Sequence, residues 1–133
     1  MLKDYRFTIG FSIWIAIITF LSLSSFEDLD TGGLNIPHLD KVVHFIFYFV
    51  AAILGSLFLK ENSKGLLNPL KAALLATIFA VVYGIVIEVI QSVFTQNRSG
   101  ELFDVLANSL GAFCGAGLII ILFSGKTPLK WKN

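Results

Sequence analysis

The chain has 133 residues, of which 56% are hydrophobic and only 14% are charged, whereas soluble domains carry about 25% charged residues. A soluble domain of this size cannot bury so much apolar surface, because small domains bury the smaller fraction of their chain. Ten Lys and Arg against nine Asp and Glu give a net charge of +1, which argues against a nucleic-acid binder. A lone cysteine, Cys114, excludes an intramolecular disulfide and a cysteine-based metal cluster. The composition predicts one small integral membrane domain over residues 1–133.

Four apolar segments are each long enough to cross a bilayer. A helix needs about 20 residues to do so, because each residue rises about 1.5 Å through a hydrocarbon core of roughly 30 Å. Lipid offers the backbone no hydrogen-bond partner, so segments of this kind form helices. The predicted spans cover about residues 7–26, 42–59, 72–94 and 105–123. We therefore expect an all-α fold, a four-helix bundle embedded in the membrane.

The first span also has features of a secretory signal peptide, since Lys3 and Arg6 precede its apolar stretch. Its apolar run is too long for a signal-peptide core, and no small-x-small cleavage motif precedes Glu27. We expect this segment to be retained as a membrane span. The third span has a clear predicted start, because Asn68 and Pro69 form a capping residue followed by proline at the first helical position.

The basic residues predict the orientation of the bundle. Eight of the ten lie at the two chain ends or in the loop between the second and third spans. These are Lys3, Arg6, Lys60, Lys64, Lys71, Lys126, Lys130 and Lys132. The opposite side holds Lys41 and Arg98. The positive-inside rule then places both termini in the cytoplasm.

Polar side chains collect toward the outward ends of three spans. They are Asp40, His44 and Tyr48 at four-residue steps in the second span, Glu88 and Gln91 in the third, Asp104 and Asn108 in the fourth, and Arg98 in the turn between the last two. Residues four apart share one face of a helix. A carboxylate well inside a span costs about 2.5–3.5 kcal/mol by insertion scales, so it needs a partner or water. The pattern predicts a polar pocket that faces outward.

Taken singly, most of these residues have a structural interpretation. His44 alone is more often a hydrogen-bonded structural histidine than a ligand or a base, and Asn108 can join two helices. Asp104 can favour the positive end of its helix. Glu88 and Gln91 are the hardest pair to explain in this way. The convergence of the whole set at one end favours a site.

Gly111 and Gly115 form a Gly-xxx-Gly pair on the face that carries Asn108. Small residues let helices approach closely in lipid. The favoured interpretation is packing within the chain, and a contact between two copies in a homo-oligomer is the alternative.

The polar residues together resemble a known family. The run Asp40-Lys41-x-x-His44-x-x-x-Tyr48, then Glu88-x-x-Gln91, then Arg98 and Asp104-x-x-x-Asn108-x-x-Gly111, is similar over about residues 40–115 to the VanZ-like family. These are small bacterial membrane proteins named for resistance to the glycopeptide antibiotic teicoplanin. The resemblance implies a multi-pass protein of the bacterial cytoplasmic (inner) membrane, and it adds Lys41 to the site residues. The family name supplies a phenotype rather than a reaction.

Two functions are compatible with these residues. The first is binding of the head group of an anionic envelope lipid or a polyprenyl-linked cell-wall precursor. Lys41 and Arg98 would hold the anion, and Glu88, Gln91, Asp104 and Asn108 would bond sugar or peptide groups. The partners would be membrane lipids, with no nucleic acid.

A transport or channel element is the lowest-ranked function, since the inner halves of the helices offer no polar path.

The second function is an intramembrane hydrolase or head-group transferase. His44 beside Glu88 or Asp104 would supply general acid–base catalysis, since histidine titrates near neutral pH. The same carboxylates with His44 could hold a divalent cation. No nucleophile or metal-ligand motif is recognisable in the sequence, so we expect no metal and no cofactor.

Overall fold

The computed structural model of the protein describes residues 2–24, 38–94 and 102–131. Within these ranges the chain forms helices and no strand. The elements are a 3₁₀ helix (Leu2–Tyr5), α1 (Arg6–Leu23), α2 (Leu39–Asn62), α3 (Pro69–Phe94) and α4 (Leu102–Leu122). Each α-helix is long and apolar enough to cross a membrane. The predicted all-α fold with four membrane spans is confirmed.

The helix ends differ from the ends of the predicted spans. α2 begins at Leu39 rather than near residue 42, and α4 begins at Leu102 rather than near residue 105. Hydropathy marks the stretch that lies in lipid, whereas the backbone stays helical into the interface, where polar side chains are tolerated. α1 instead ends at Leu23, before the predicted residue 26. The next residue, Ser24, has an extended backbone with φ −80° and ψ 136°, which stops the helix.

The start of α3 follows the predicted capping pattern. The backbone N–H of Lys71 donates to Oδ1 of Asn68 at 2.8 Å, and Pro69 is the first helical residue. The first N–H groups of a helix have no partner within it, so the Asn68 side chain satisfies one of them. The capping prediction is confirmed.

The bundle places small side chains inside and large apolar ones outside. Ala52, Ala73 and Ala112 are fully buried, whereas Ile78 and Phe113 are exposed on the outer surface. Lipid tails are as apolar as Leu or Phe, so helix association in a bilayer depends on close van der Waals packing rather than on burial of apolar area. This inverted pattern is typical of a bundle surrounded by lipid.

α2 and α4 make the most extensive contact in the bundle, and α3 lies against both. Gly111 and Gly115 of α4 face the backbone of α2. A Cβ atom at Gly111 would collide with the carbonyl oxygen of Phe45, and one at Gly115 would collide with the carbonyl oxygen of Phe49. The predicted packing of this glycine pair within the chain is confirmed.

α1 packs on α2 and, less extensively, on α3. Trp14 of α1 donates a hydrogen bond from its indole Nε1 to the carbonyl oxygen of Phe47 in α2 at 2.9 Å. At its first turn, Oε2 of Glu61 accepts hydrogen bonds from both the backbone N–H and the hydroxyl of Thr8, each at 2.7 Å. A carboxylate at this position stabilises a helix, because it meets the unpaired N–H groups and the positive end of the helix dipole.

The bundle has two chemically different ends. The terminal end holds both described ends of the chain, residues 2–8 and 123–131, with the connection 60–71 between α2 and α3. There Trp131 donates from Nε1 to the carbonyl oxygen of Leu67 at 2.5 Å and is almost fully buried. The polar end holds residue 38, residues 39–48 of α2, 84–94 of α3 and 102–111 of α4.

Candidate functional site

The polar end gathers ionisable and amide side chains from three helices. Asp40, His44 and Tyr48 follow one face of α2, and their burial increases toward the middle of the bundle. The Asp40 side chain is 55% exposed and that of His44 is 12% exposed, while Tyr48 is fully buried. This gradient forms because α2 begins at one end of the bundle and then packs against both α3 and α4.

His44 stands at the centre of the cluster. Its Nδ1 lies 3.0 Å from Oδ1 of Asn108 on α4 and 3.6 Å from Oε1 of Glu88 on α3. An amide oxygen can only accept a hydrogen bond, so Nδ1 carries a proton and donates it. In a neutral imidazole the lone pair then lies on Nε2. The arrangement orients the ring with Nε2 able to accept a proton or bind a metal.

Lys41 joins two carboxylates at the mouth of the cluster. Its Nζ lies 3.1 Å from Oδ2 of Asp40 and 3.4 Å from Oδ1 of Asp104 on α4. The Lys41 side chain is 25% exposed, and that of Asp104 is 11% exposed. The positive charge therefore offsets part of the negative charge of this end, and it holds α2 to the first turn of α4.

Tyr48 and Asn108 meet across a glycine of α3. A Cβ atom at Gly84 would lie 3.1 Å from both Cε1 of Tyr48 and Nδ2 of Asn108. A larger residue at this position would push these two polar side chains apart. Sequence reasoning missed Gly84, although a glycine one turn before Glu88, on the same helix face, was a usable signal.

Gln91 and Arg98 are placed differently from the rest of the predicted set. Gln91 is buried and donates from Nε2 to the carbonyl oxygen of Ser22, near the end of α1. It therefore joins α3 to α1. Arg98 lies outside the described residues.

Three side chains of the cluster are suitable metal ligands. His44, Glu88 and Asp104 each offer one ligand atom, and these atoms lie within 4.8 Å of one another. Each of the three comes from a different helix, so the grouping is a result of the tertiary fold. Imidazole and carboxylate side chains can act together in acid–base catalysis or in binding a divalent cation.

A separate cleft lies at the terminal end, far from His44 along α2. It has a volume of about 690 Å³, and its lining includes Arg6, Lys60, Asn62 and Lys64. Lys60 also lies over the ring of Trp131, with Nζ 5.7 Å from the ring centroid. The sequence analysis placed no site here.

Comparison with known protein families gives a match over most of the chain. The model of the VanZ/LLP1 family matches residues 4–123, a range that includes α1 to α4 in full. No curated protein and no solved structure matches the chain. The family match includes every residue of the polar end named above, and it agrees with the resemblance carried by the polar motifs. The chain belongs to the VanZ/LLP1 family.

Proposed function

We propose that the polar end binds the head group of an anionic envelope lipid or of a polyprenyl-linked cell-wall precursor. The observation that carries this proposal is the convergence of His44, Glu88 and Asp104 within 4.8 Å at one end of an apolar bundle. Burying ionisable groups inside a membrane span is costly, so such groups are a functional-site hypothesis by default. The cost is offset if the groups bind a polar ligand.

The surroundings of the cluster are suited to an amphiphile. Val42 and Ile46 of α2 and Leu106 and Leu110 of α4 are large, apolar and exposed on the outside of the bundle. Acyl or polyprenyl chains can pack on such surfaces while a head group reaches the polar residues. Lys41, at the mouth of the cluster, provides a cation for an anionic group.

The proposed location is the cytoplasmic membrane of a bacterium, with the polar end facing outward. Eight of ten Lys and Arg lie on the side of the two termini, which supports this orientation. An outward site would meet cell-wall precursors where glycopeptide antibiotics bind them. Shielding or sequestering such a precursor would connect the protein to teicoplanin resistance.

Native mass spectrometry of the protein released from its own membranes tests lipid binding. We expect wild type to retain a lipid of defined mass, and Glu88→Gln to retain at least about tenfold less, since a buried site that loses a charged partner binds its ligand less well. Asp4→Asn is the matched control, because it makes the same carboxylate-to-amide change at an exposed position of the terminal end. Equal lipid retention in all three proteins would contradict the proposal.

A second candidate function is an enzyme that acts on the same class of lipid. The observation that favours it is the contact of His44 Nδ1 with Asn108 and Glu88, which leaves Nε2 suited to accept a proton. Lipid extracts from cells that express wild type or His44→Asn distinguish the two functions. An altered head group that accumulates with wild type alone favours the enzyme, whereas unchanged lipid chemistry with retained lipid favours binding.

A further inference from the structure

The polar end has an excess of negative charge among the described residues. Asp40, Glu88 and Asp104 supply three carboxylates, whereas Lys41 supplies one amine. Glu88 and Asp104 are both buried, and like charges at short range in a poorly solvated site repel each other strongly. An anionic head group would add to this repulsion. A bound divalent cation would remove it and would attract a phosphate.

The three suitable ligands also lie close enough to one another to share one ion. One atom each of His44, Glu88 and Asp104 lies within 4.8 Å of the other two. Ligand atoms lie about 2.0–2.2 Å from a zinc ion that they share, so side-chain movements would bring these three atoms onto one ion. Lys41 contacts Oδ1 of Asp104, and a carboxylate has a second oxygen that can bind the ion.

Two buried polar groups beside these ligands give a second, independent indication of a ligand. Nδ2 of Asn108 and the hydroxyl of Tyr48 make no hydrogen bond to the described residues, and both residues are at least 99% buried. The Asn108 amide reaches the cluster, since its Oδ1 contacts His44. Tyr48 lies next to Asn108, since Cε1 of Tyr48 and Nδ2 of Asn108 would each lie 3.1 Å from a Cβ atom at Gly84. Buried donors are costly without an acceptor, and an oxygen of a bound group beside the cluster would supply one.

We propose that His44, Glu88 and Asp104 bind one divalent transition-metal ion, and that the ion's open position binds a phosphate oxygen of the lipid head group. A mixed set of one imidazole and two carboxylates suits Zn²⁺ or Mn²⁺ better than Ca²⁺ or Mg²⁺, which prefer oxygen ligands alone. Three protein ligands with a fourth position open is the arrangement of reactive zinc sites. Asn108 and Tyr48 donate to the oxygen at that position. The phosphate part of this inference rests on the proposed function.

Calorimetric titration of the full chain in detergent micelles with Zn²⁺ tests the metal site. The protein is first treated with EDTA and dialysed, and Mn²⁺ is titrated in parallel. Wild type should bind one Zn²⁺ per chain. Absence of one-to-one binding of either ion to wild type would overturn the proposal without reference to any variant.

Ligand substitutions locate the ion. Glu88→Gln, Asp104→Asn and His44→Asn should each weaken Zn²⁺ binding by at least about a hundredfold, more than the 10- to 100-fold effect of losing a group that only supports a ligand. Two exposed positions provide matched controls, Asp4→Asn and His38→Asn. Asn is a suitable replacement at position 38, because φ there is +61° and Asn adopts this left-handed backbone conformation more readily than most residues. Equal weakening in the control variants, or none in the ligand variants, would show that Zn²⁺ binds elsewhere and would overturn the site.

Chelation separates this inference from the proposed function. Native mass spectrometry of wild type should show lipid retention that falls after EDTA treatment and returns with one equivalent of Zn²⁺. If lipid were retained equally without metal, the inference of an ion that bridges protein and lipid would be overturned, and the proposed lipid binding would remain. Zn²⁺ bound at the three ligands with no lipid retained would support the metal site and contradict the proposed function.

Discussion

His44 and Asn108, 64 residues apart in sequence, join α2 to α4 through a 3.0 Å contact between Nδ1 and Oδ1. The contact fixes the imidazole ring beside Glu88, and it lies one turn of α4 away from Gly111, where the two helix backbones approach closely. The close approach and the polar contact therefore depend on each other. The site exists because the helices pack tightly at this point.

Asn108→Ala should lower the free energy of unfolding by about 0.6–1.7 kcal/mol, from the average to the maximum value measured for hydrogen bonds between membrane helices. Loss of helicity against SDS mole fraction in mixed micelles, followed by circular dichroism, measures this change. Ser109→Ala is the matched control, because the Ser109 hydroxyl donates to the Val105 carbonyl oxygen of its own helix. Equal stability of the Asn108 variant and wild type would contradict a role for this contact in packing.

Gly111→Ala should destabilise the bundle by about 1–3 kcal/mol, the usual cost of inserting a methyl group into a packed interface. The new Cβ would collide with the Phe45 carbonyl oxygen, so α2 and α4 must separate. Gly117→Ala, in the same helix, has no atom within 4 Å of its new Cβ and should be neutral or stabilising, because Ala favours helix over Gly. The same SDS titration compares the two, and the prediction is wrong if both variants behave alike.

Much of the fold and part of the site were predictable from the sequence, because both depend on local periodicity. Apolar runs predicted the four spans, and the four-residue steps from Asp40 to Tyr48 and from Asp104 to Asn108 placed those residues on single helix faces. The partner of Gln91 was not predictable, since it is a backbone carbonyl of α1. Such contacts depend on which helices become neighbours, and no pattern within one segment encodes that.

Two contacts at the terminal end were likewise not predictable from the sequence. Glu61 caps the first turn of α1, and Trp131 packs against Phe123 with ring centroids 5.0 Å apart. Both residues lie in polar, interfacial stretches where hydropathy gives no signal of burial. Their roles follow from the two chain ends meeting at one end of the bundle.

Lys41→Gln should tighten Zn²⁺ binding at least about fivefold. Even in bulk water, two unit charges 4 Å apart interact by about 1 kcal/mol, and Nζ of Lys41 lies 3.4 Å from an oxygen of the proposed ligand Asp104. Lys71→Gln, an exposed lysine of the terminal end, is the control and should leave the affinity unchanged. Weaker Zn²⁺ binding by the Lys41 variant would contradict this account of the charge balance.

The orientation can be tested by cysteine labelling in intact cells. In a Cys114→Ala background, single cysteines are introduced as His38→Cys at the polar end and Lys130→Cys at the terminal end. A membrane-impermeant maleimide should label position 38 directly and position 130 after permeabilisation, because the positive-inside rule predicts a cytoplasmic terminal end. The reverse pattern would place the polar end inside the cell.

The most direct test of head-group binding at the polar end is an NMR titration of the side-chain amide of Asn108. The protein, with ¹⁵N-labelled asparagine and one equivalent of Zn²⁺, is titrated in micelles with phosphatidylglycerol and, separately, with a polyprenyl phosphate. Asn62, which lines the cleft of the terminal end, is the internal reference. We predict that the Asn108 signal shifts in a saturable manner while that of Asn62 stays in place. A shift of Asn62 alone, or of neither amide, would contradict binding at the polar end.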